Sequence, residues 1–331
     1  MRLKEKIYIG LMIAKAKLLK QSIPVIVGWA LTYQCNKQCK YCLLPIKKTV
    51  ELNTAEVKLL IDNFKRLGTK MLIFTGGEPF LRKDIIEIIN YAKQKRMIVY
   101  VNSNGSRIRD FIGQLGLVDC LNISLEGNKQ THNAIRGTGS FEQVMESAEL
   151  AKQHKIKLRF TTTLNKLNLE NIDYILDSGA NLQAKVKFQI LTDYCLGSVE
   201  KNPLLPENHK LIKVIKQLCE YKKKGKYKNI IANPLPALKY FRSLPKLPLM
   251  ACASGKITFR VTPDGFLITC GESGIAANHF RIALKNKTYE QVKQILEKIK
   301  FSKQRCSCGC ADRVEASMLW NLNPGAVLNR L

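Results

Sequence analysis

The chain has 331 residues, 46% hydrophobic and 24% charged, which excludes a disordered chain and a disulfide-dependent miniprotein and leaves room for a barrel-sized core with an appendage. Its 54 basic and 26 acidic residues give a formal net charge of +28. Because 40 of the basic residues are Lys and only 14 are Arg, and phosphate and base recognition favours Arg forks, this excess reads as a solvated surface rather than a nucleic-acid groove.

Residues 1–23 form a basic amphipathic helix in which Ile7, Leu11, Ala14 and Leu18 share one face. The apolar run over 7–14 is too short to span a bilayer, and no small-residue cleavage site marks a signal peptide. Two readings stay open: peripheral contact of residues 1–22 with an anionic membrane surface, or packing across the bottom of the fold. A branched apolar strand is expected over 25–31. Asn53, with Glu56 three residues on, opens a helix that stops at Gly68. Strands over 71–75, 98–102, 120–124, 157–163 and 186–191 follow. Between them lie helices over 84–95, up to about 116, over 140–154 and from about 171. Six strands alternating with helices point to parallel βα units, as a doubly wound sheet or a barrel. Beyond residue 193 the rhythm breaks. Residues 207–230 read as a Lys-rich helix, and the four prolines in 231–249 argue against any regular element there. "KITFRV" and "FLIT" flank "TPDG" as a hairpin, and 289–299 reads as a helix.

Six of the eleven cysteines fall in two clusters, Cys35/Cys39/Cys42 and Cys306/Cys308/Cys310. Thiols so close along the chain suit metal ligation better than disulfides, which places the protein in a reducing, cytoplasmic compartment. Cys35, Cys39 and Cys42 directly follow the first strand. Structural zinc wants four ligands; three suit a four-iron cluster with one iron left open. A zinc site completed by a distant residue is the alternative.

The Cys-x3-Cys-x2-Cys spacing, with Tyr41 before the last Cys, resembles the radical S-adenosylmethionine (radical SAM) superfamily. That resemblance implies a [4Fe-4S] cluster on Cys35, Cys39 and Cys42 whose open iron chelates S-adenosylmethionine (SAM). One electron then cleaves the sulfonium, and a 5′-deoxyadenosyl radical abstracts hydrogen from a substrate. Gly76, Gly77, Glu78 and Pro79 resemble the family's GGEP motif, which receives the methionine amine. Ser103 and Asn104 fall where the family presents polar groups to the ribose. The stretch "ISLEGNKQTHNAIRGTGSF" implies that Ser124 and Arg136 contact the cofactor, Arg136 through the methionine carboxylate. Here Glu126 and Asn133 stand where a large subgroup usually has Asp, so neither is given a role, and His132 reads as structural. Asn165 falls where a further contact would lie.

The resemblance implies an α/β fold: a partial (β/α)6 TIM-like barrel over 24–195, a helical and Pro-rich connector over 196–250, and a small twitch- or SPASM-like α+β cluster domain over 251–331. Cys252 and Cys270 resemble the opening of such extensions. With Cys306, Cys308 and Cys310 they make five thiols, enough for one auxiliary [4Fe-4S] cluster, for which Cys252, Cys270, Cys306 and Cys310 are favoured and Cys308 can replace either of the last two. Cys120, Cys195 and Cys219 read as core or surface residues. The implied activity is hydrogen abstraction from a small molecule, a lipid-linked or sugar precursor, or a peptide, with flavodoxin or ferredoxin as electron donor. The residues before the first strand are too few for the usual peptide-recognition domain. An RNA-modifying enzyme of the same chemistry and a non-catalytic iron–sulfur or zinc protein are the rivals.

Overall fold

A computed structural model describes residues 3–196, 198, 200–269, 281–299, 305–306 (backbone) and 309–323. Cys270, Cys308 and the side chain of Cys306 therefore lie outside the described residues. Helix α1 (Leu3–Leu18) precedes β1 (Ile26–Thr32), α2 (Thr54–Arg66), β2 (Met71–Gly76), α3 (Ile85–Gln94), β3 (Ile98–Ser103), α4 (Ile108–Phe111), β4 (Cys120–Ser124), α5 (Lys129–Arg136), α6 (Ser140–Gln153), β5 (Leu158–Leu164), α7 (Ile172–Asn181) and β6 (Lys185–Ile190). Then come α8 (Asn208–Lys223), α9 (Leu235–Phe241), β7 (Met250–Ala251), β8 (Thr258–Val261), β9 (Phe266–Ile268), β10 (Arg281–Ala283), α10 (Tyr289–Lys298), β11 (Arg305–Cys306) and α11 (Ala311–Trp320).

Strands β1 to β6 pair in parallel and in chain order within an open sheet, the partial barrel expected. Alternation divides each strand between two faces. Val27, Trp29, Leu72, Phe74, Val101, Ile123 and Phe160 enter the core beneath the helices. Helix α2 shows how that core is met. Asn53 and Glu56 form a full capping box, and Val57, Leu60, Ile61 and Phe64 make one buried stripe. Trp29 meets Phe64 edge-on at 5.9 Å.

Several features differ from the sequence reading: the helix expected over 207–230 ends at Lys223, and α5 has no counterpart in that reading. Residues 235–241 are helical, because Pro234 and Pro236 fall at the cap and first turn, where no intrahelical N–H is needed. The hairpin β8–β9 is present, but β8 also pairs in parallel with β1, so the sheet runs on through the C-terminal segment in the order β10-β9-β8-β1-β2-β3-β4-β5-β6. Helix α1 packs across the start of β1 to β3, yet through Ile9, Ile13 and Ala16, which meet Ile26, Met71, Ile98 and, from α11, Leu319 and Trp320. The face of Ile7, Leu11 and Leu18, which the packing alternative would bury, looks outward at 53%, 60% and 81% exposure.

A buried ion pair fixes α11 to the barrel. Lys187 on β6 lies 2.9 Å from Glu315, both side chains nearly inaccessible, and also bonds half-exposed Asp312. Asn233 donates to Glu315 at 3.4 Å. Replacing Lys187 with Met leaves Glu315 buried without its cation. The expected cost is about 3 kcal/mol, read from the denaturant midpoint, and Lys187→Met with Glu315→Leu is expected to recover most of it.

Candidate active site

The loop after β1 carries Cys35, Cys39 and Cys42, all partly exposed and free of disulfides. Backbone bonds stitch it to four neighbours. Gly77 N–H donates to Thr32 O and Glu78 N–H to Gln34 O, both at 2.8 Å; Lys40 N–H donates to Ile135 O at 3.2 Å; Leu43 N–H donates to Leu196 O at 2.8 Å. The Cys42 N–H closes a turn on Cys39 O at 2.9 Å. Asn104 Nδ2 donates to Asn36 at 2.9 Å and approaches Cys35 Sγ at 3.6 Å. Burial, reinforced by the other two thiols, pushes the Cys42 thiol up to about 11. A metal that displaces those protons would relieve the same desolvation.

Gly76 and Gly77 are where β2 touches this loop. A Cβ on Gly76 would stand 2.0 Å from Thr32 O, and one on Gly77 2.1 Å from Gln34 O. Gly76 also has φ +128°, in the region glycine alone adopts freely. The pair thus makes room for the cysteine loop itself. Glu78 follows, fully buried. It accepts from Ser103 Oγ at 2.9 Å, Asn104 N–H at 2.6 Å and Phe80 N–H at 3.2 Å. Burial pushes its carboxyl up to about 7 despite these bonds.

The other side of the loop rests on a network centred on Glu126, to which the sequence assigned no role. Arg136 donates to Glu126 Oε1 from Nε at 3.0 Å and from an Nη at 2.7 Å. Tyr41 donates to the same oxygen at 2.6 Å and accepts from the Arg136 Nη. Glu126 Oε2 takes the Thr163 N–H at 3.0 Å. Two nitrogens of Arg136 are therefore engaged within the protein, whereas the resemblance reserved this side chain for a cofactor carboxylate. Its signal in sequence was the spacing Glu126-x9-Arg136 across the helix α5, which was not expected there. His132 accepts from Glu126 N–H through Nδ1 at 3.1 Å, and burial, then the charge of Arg136, lower its pKa to about 3, so it is a neutral structural imidazole. Asn133 accepts from Phe141 N–H at 2.9 Å and Ser140 Oγ at 3.1 Å, joining α5 to α6. Asn165 is buried and bonded within its own loop.

Ser124 stands on the inner face of β4, beside Thr161 of β5. In the C-terminal segment, Cys306 registers with Met250 across β11 and β7, Cys252 follows two residues on, and Cys310 caps α11. Ala253 N–H donates to Ser317 Oγ of α11 at 3.0 Å, so the segment of Cys252 is tied to both β11 and α11. Among the described residues no three His, Cys, Asp or Glu side chains close on a single ion. A four-iron cluster takes one thiolate per iron, so its ligands stand wider apart than those of one zinc; three partly exposed thiols on one loop fit such a cluster. Cys120, Cys195 and Cys219 are buried.

A three-thiol loop seated over Gly-Gly-Glu-Pro at the C-terminal ends of a partial barrel defines a class. Residues 29–178, which include the cysteine loop and Gly-Gly-Glu-Pro, match the family model described as the Radical SAM superfamily. The family implies SAM and a [4Fe-4S] cluster. The chain is 34% identical over 165 residues to the Fe-coproporphyrin III synthase of Methanosarcina barkeri, covering 48% of this chain and 41% of that protein. It is 34% identical over 168 residues to the AdoMet-dependent heme synthase of Oleidesulfovibrio alaskensis, covering 48% and 43%. It thus spans less than half the length of these curated relatives. In fold it is similar to Streptococcus suis SuiB bound to S-adenosylmethionine, with TM-score 0.68, 14% identity and coverage of 86% and 69%. It is also similar to anSMEcpe with bound AdoMet, with TM-score 0.65, 15% identity and coverage of 92% and 98%.

Two outcomes follow from this geometry. Gly77→Ala pushes the loop off β2; a loss of about 2 kcal/mol and poor iron loading are expected in chemical denaturation and metal analysis. Glu78 holds its proton more tightly folded than unfolded. Its contribution to stability is therefore fully present below the ordinary value of 4.5 and is lost as pH rises to about 7. The loss is on the order of 3 kcal/mol; stability measured from pH 4 to 8 without SAM is expected to slope less in Glu78→Gln.

Proposed function

We propose that the protein reductively cleaves SAM at a [4Fe-4S] cluster held by Cys35, Cys39 and Cys42 and abstracts hydrogen from an organic substrate. The observation that carries this is the clasped loop: three thiols on one turn, backed by a glycine pair too tight for any side chain. When bound, the cluster and SAM supply one-electron cleavage of a sulfonium and a carbon radical. The chain's own part is to position and seclude. Gly76, Gly77, Glu78 and Pro79 set the rim; Ser103, Asn104 and Ser124 offer polar groups beside it. Arg136, held by Glu126, braces Tyr41 between Cys39 and Cys42 and keeps its remaining donors for the cofactor. Flavodoxin or ferredoxin supplies the electron.

We assign a second, auxiliary [4Fe-4S] cluster to Cys252, Cys270, Cys306 and Cys310, with Cys308 able to replace either of the last two, in a C-terminal unit over 251–331 beyond a barrel over 24–195 and a connector over 196–250. The heme-synthase names of the relatives support a small-molecule substrate; the peptide complexes among the fold neighbours leave a peptide as the second reading. Anaerobic incubation with dithionite and SAM tests the chemistry. Single Ala variants of Cys35, Cys39 and Cys42 are expected to release no 5′-deoxyadenosine above the protein-free background. Cys252→Ala and Cys310→Ala are expected to bring iron content from about eight to about four per chain.

The outward row of α1 supports peripheral attachment to an anionic membrane. Leu3, Ile7, Leu11 and Leu18 are exposed along one line, with Lys4 and Lys15 at its edge, the composition that seats a helix in a lipid interface. No described helix is long and apolar enough to cross a membrane. Flotation with anionic vesicles is expected for the wild type and lost in Leu11→Glu, with no flotation on zwitterionic vesicles; a dimer formed through this face instead would end the idea.

A further inference from the structure

On the inner face of the barrel stands a cation that meets no carboxylate among the described residues. Arg159 lies on β5, in register with Asn122 on β4. The alternate residues Leu158 and Phe160 enter the helix-side core, so Arg159 faces inward. Its guanidinium sits 5.6 Å from the Tyr100 ring centroid, and its Nε is buried without a hydrogen-bond partner. Arg82, Arg107, Arg136 and Arg281 each meet a carboxylate; Arg159 meets none among the described residues. Of the two lysines beside it on this face, Lys185, its register partner on β6, is exposed, and Lys187, one two-residue step further up, is already neutralised by Asp312 and Glu315. Tyr100 packs against the apolar cluster of Ile26, Met71 and Ile98, which forms the floor of the barrel.

We infer that Arg159 is the subsite for a carboxylate of the substrate, at the floor of the barrel. A half-buried guanidinium without a counter-ion is costly, and an incoming carboxylate supplies both the charge and paired hydrogen bonds to a planar fork. Tyr100 lies within cation–π range of that fork, which limits the side-chain freedom lost on binding. Ser124 and Thr161, in register one two-residue step up the strands, lie about 7 Å above Arg159. The substrate's anchored end therefore sits below the level at which Ser124 is placed beside the cofactor. This rests on the radical SAM reading for where the cofactor lies, and it narrows the substrate class to carboxylic acids.

The test is arginine labelling of the anaerobic protein by phenylglyoxal, read by peptide mass spectrometry, with exposed Arg242 as internal reference. The probes are Fe-coproporphyrin III, its fully esterified form, citrate and inorganic phosphate, at matched ionic strength. Near saturation, one of the two acids is expected to slow labelling of Arg159 roughly tenfold and leave Arg242 unchanged, while the ester gives no protection. Arg159→Met is expected to weaken binding of that acid roughly 10- to 100-fold, with Arg159→Lys between it and the wild type, melting curves showing both folded. The assignment is overturned by protection from neither acid, by equal protection from ester or phosphate, or by an Arg159 that does not react in the free protein. Labelling needs no turnover, so its result is separate from a failure of the radical chemistry, which shows as absence of 5′-deoxyadenosine from the wild type.

Discussion

The site depends on two backbones touching with nothing between them. Where β2 ends, Gly76 and Gly77 lie so close to Thr32 and Gln34 that a single methyl would overlap a carbonyl oxygen. The contact is sealed by the Gly77 and Glu78 N–H groups donating into the loop. It fixes where the chain leaves β1, and so where Cys35 begins. A loop bearing three cysteines would otherwise be free to turn its thiols to solvent. Held here, it is passed on to Asn104 at the end of β3, to Ile135 of α5 and to Leu196 beyond β6. The glycines of the motif are thus explained first by the protein's own packing.

Opposite that contact, burial has gathered charge. Glu126, Arg136 and Tyr41 share a few ångströms of protein with almost no water, and each is satisfied by the other two. An isolated member would be costly there; together they tie the loop to β4, β5 and α5. Glu126 is one methylene longer than the residue usual at its place in the resembling subgroup, and that reach lets one carboxylate serve Arg136, Tyr41 and the β5 backbone at once. On the β2 side, Glu78 is held by backbone and hydroxyl donors with no bonded cation, which is why burial raises its carboxyl. Two buried acids thus flank one loop, Glu126 bonded to a guanidinium and Glu78 to backbone and hydroxyl donors.

Much of this was legible in the sequence because it is local. Capping at Asn53, alternation along the strands and motifs just past strand ends depend on residues within a few positions of each other. What escaped was long-range or degenerate. The pairing of β8 with β1 joins four-residue stretches more than two hundred positions apart, and nothing in "TFRV" names its partner. Helix α1 is apolar on two opposite faces, so periodicity chose Ile7, Leu11 and Leu18 where packing chose Ile9 and Ile13. The prolines of α9 read as breakers in the sequence because their place in the first turn appears only once the helix start is known. Glu126 departs from the residue usual in the resembling subgroup, while its chemistry, a carboxylate ten residues before an arginine, stands in the sequence.

The long-range contacts also explain how an open barrel keeps its shape. Six parallel strands leave two free edges, which invite fraying or pairing with other chains. Here the C-terminal segment attends to both sides. At the β1 edge, β8 adds a parallel strand and its turn docks on the segment after the cysteine loop, Leu52 N–H donating to Pro263 O at 2.8 Å and the Leu52 side chain lying under Gly265. At β6, the last of the parallel strands, α11 is fastened by Lys187 and Glu315, and its far end joins α1 in the floor. The strand that leads into Cys35 thus carries the hairpin on its other side, and the helix that begins at Cys310 is bolted across the barrel. Any shift of Cys252 or Cys310 relative to the first three must strain the β1–β8 ladder or break a buried ion pair, so these two positions are framed together with the first cysteine loop.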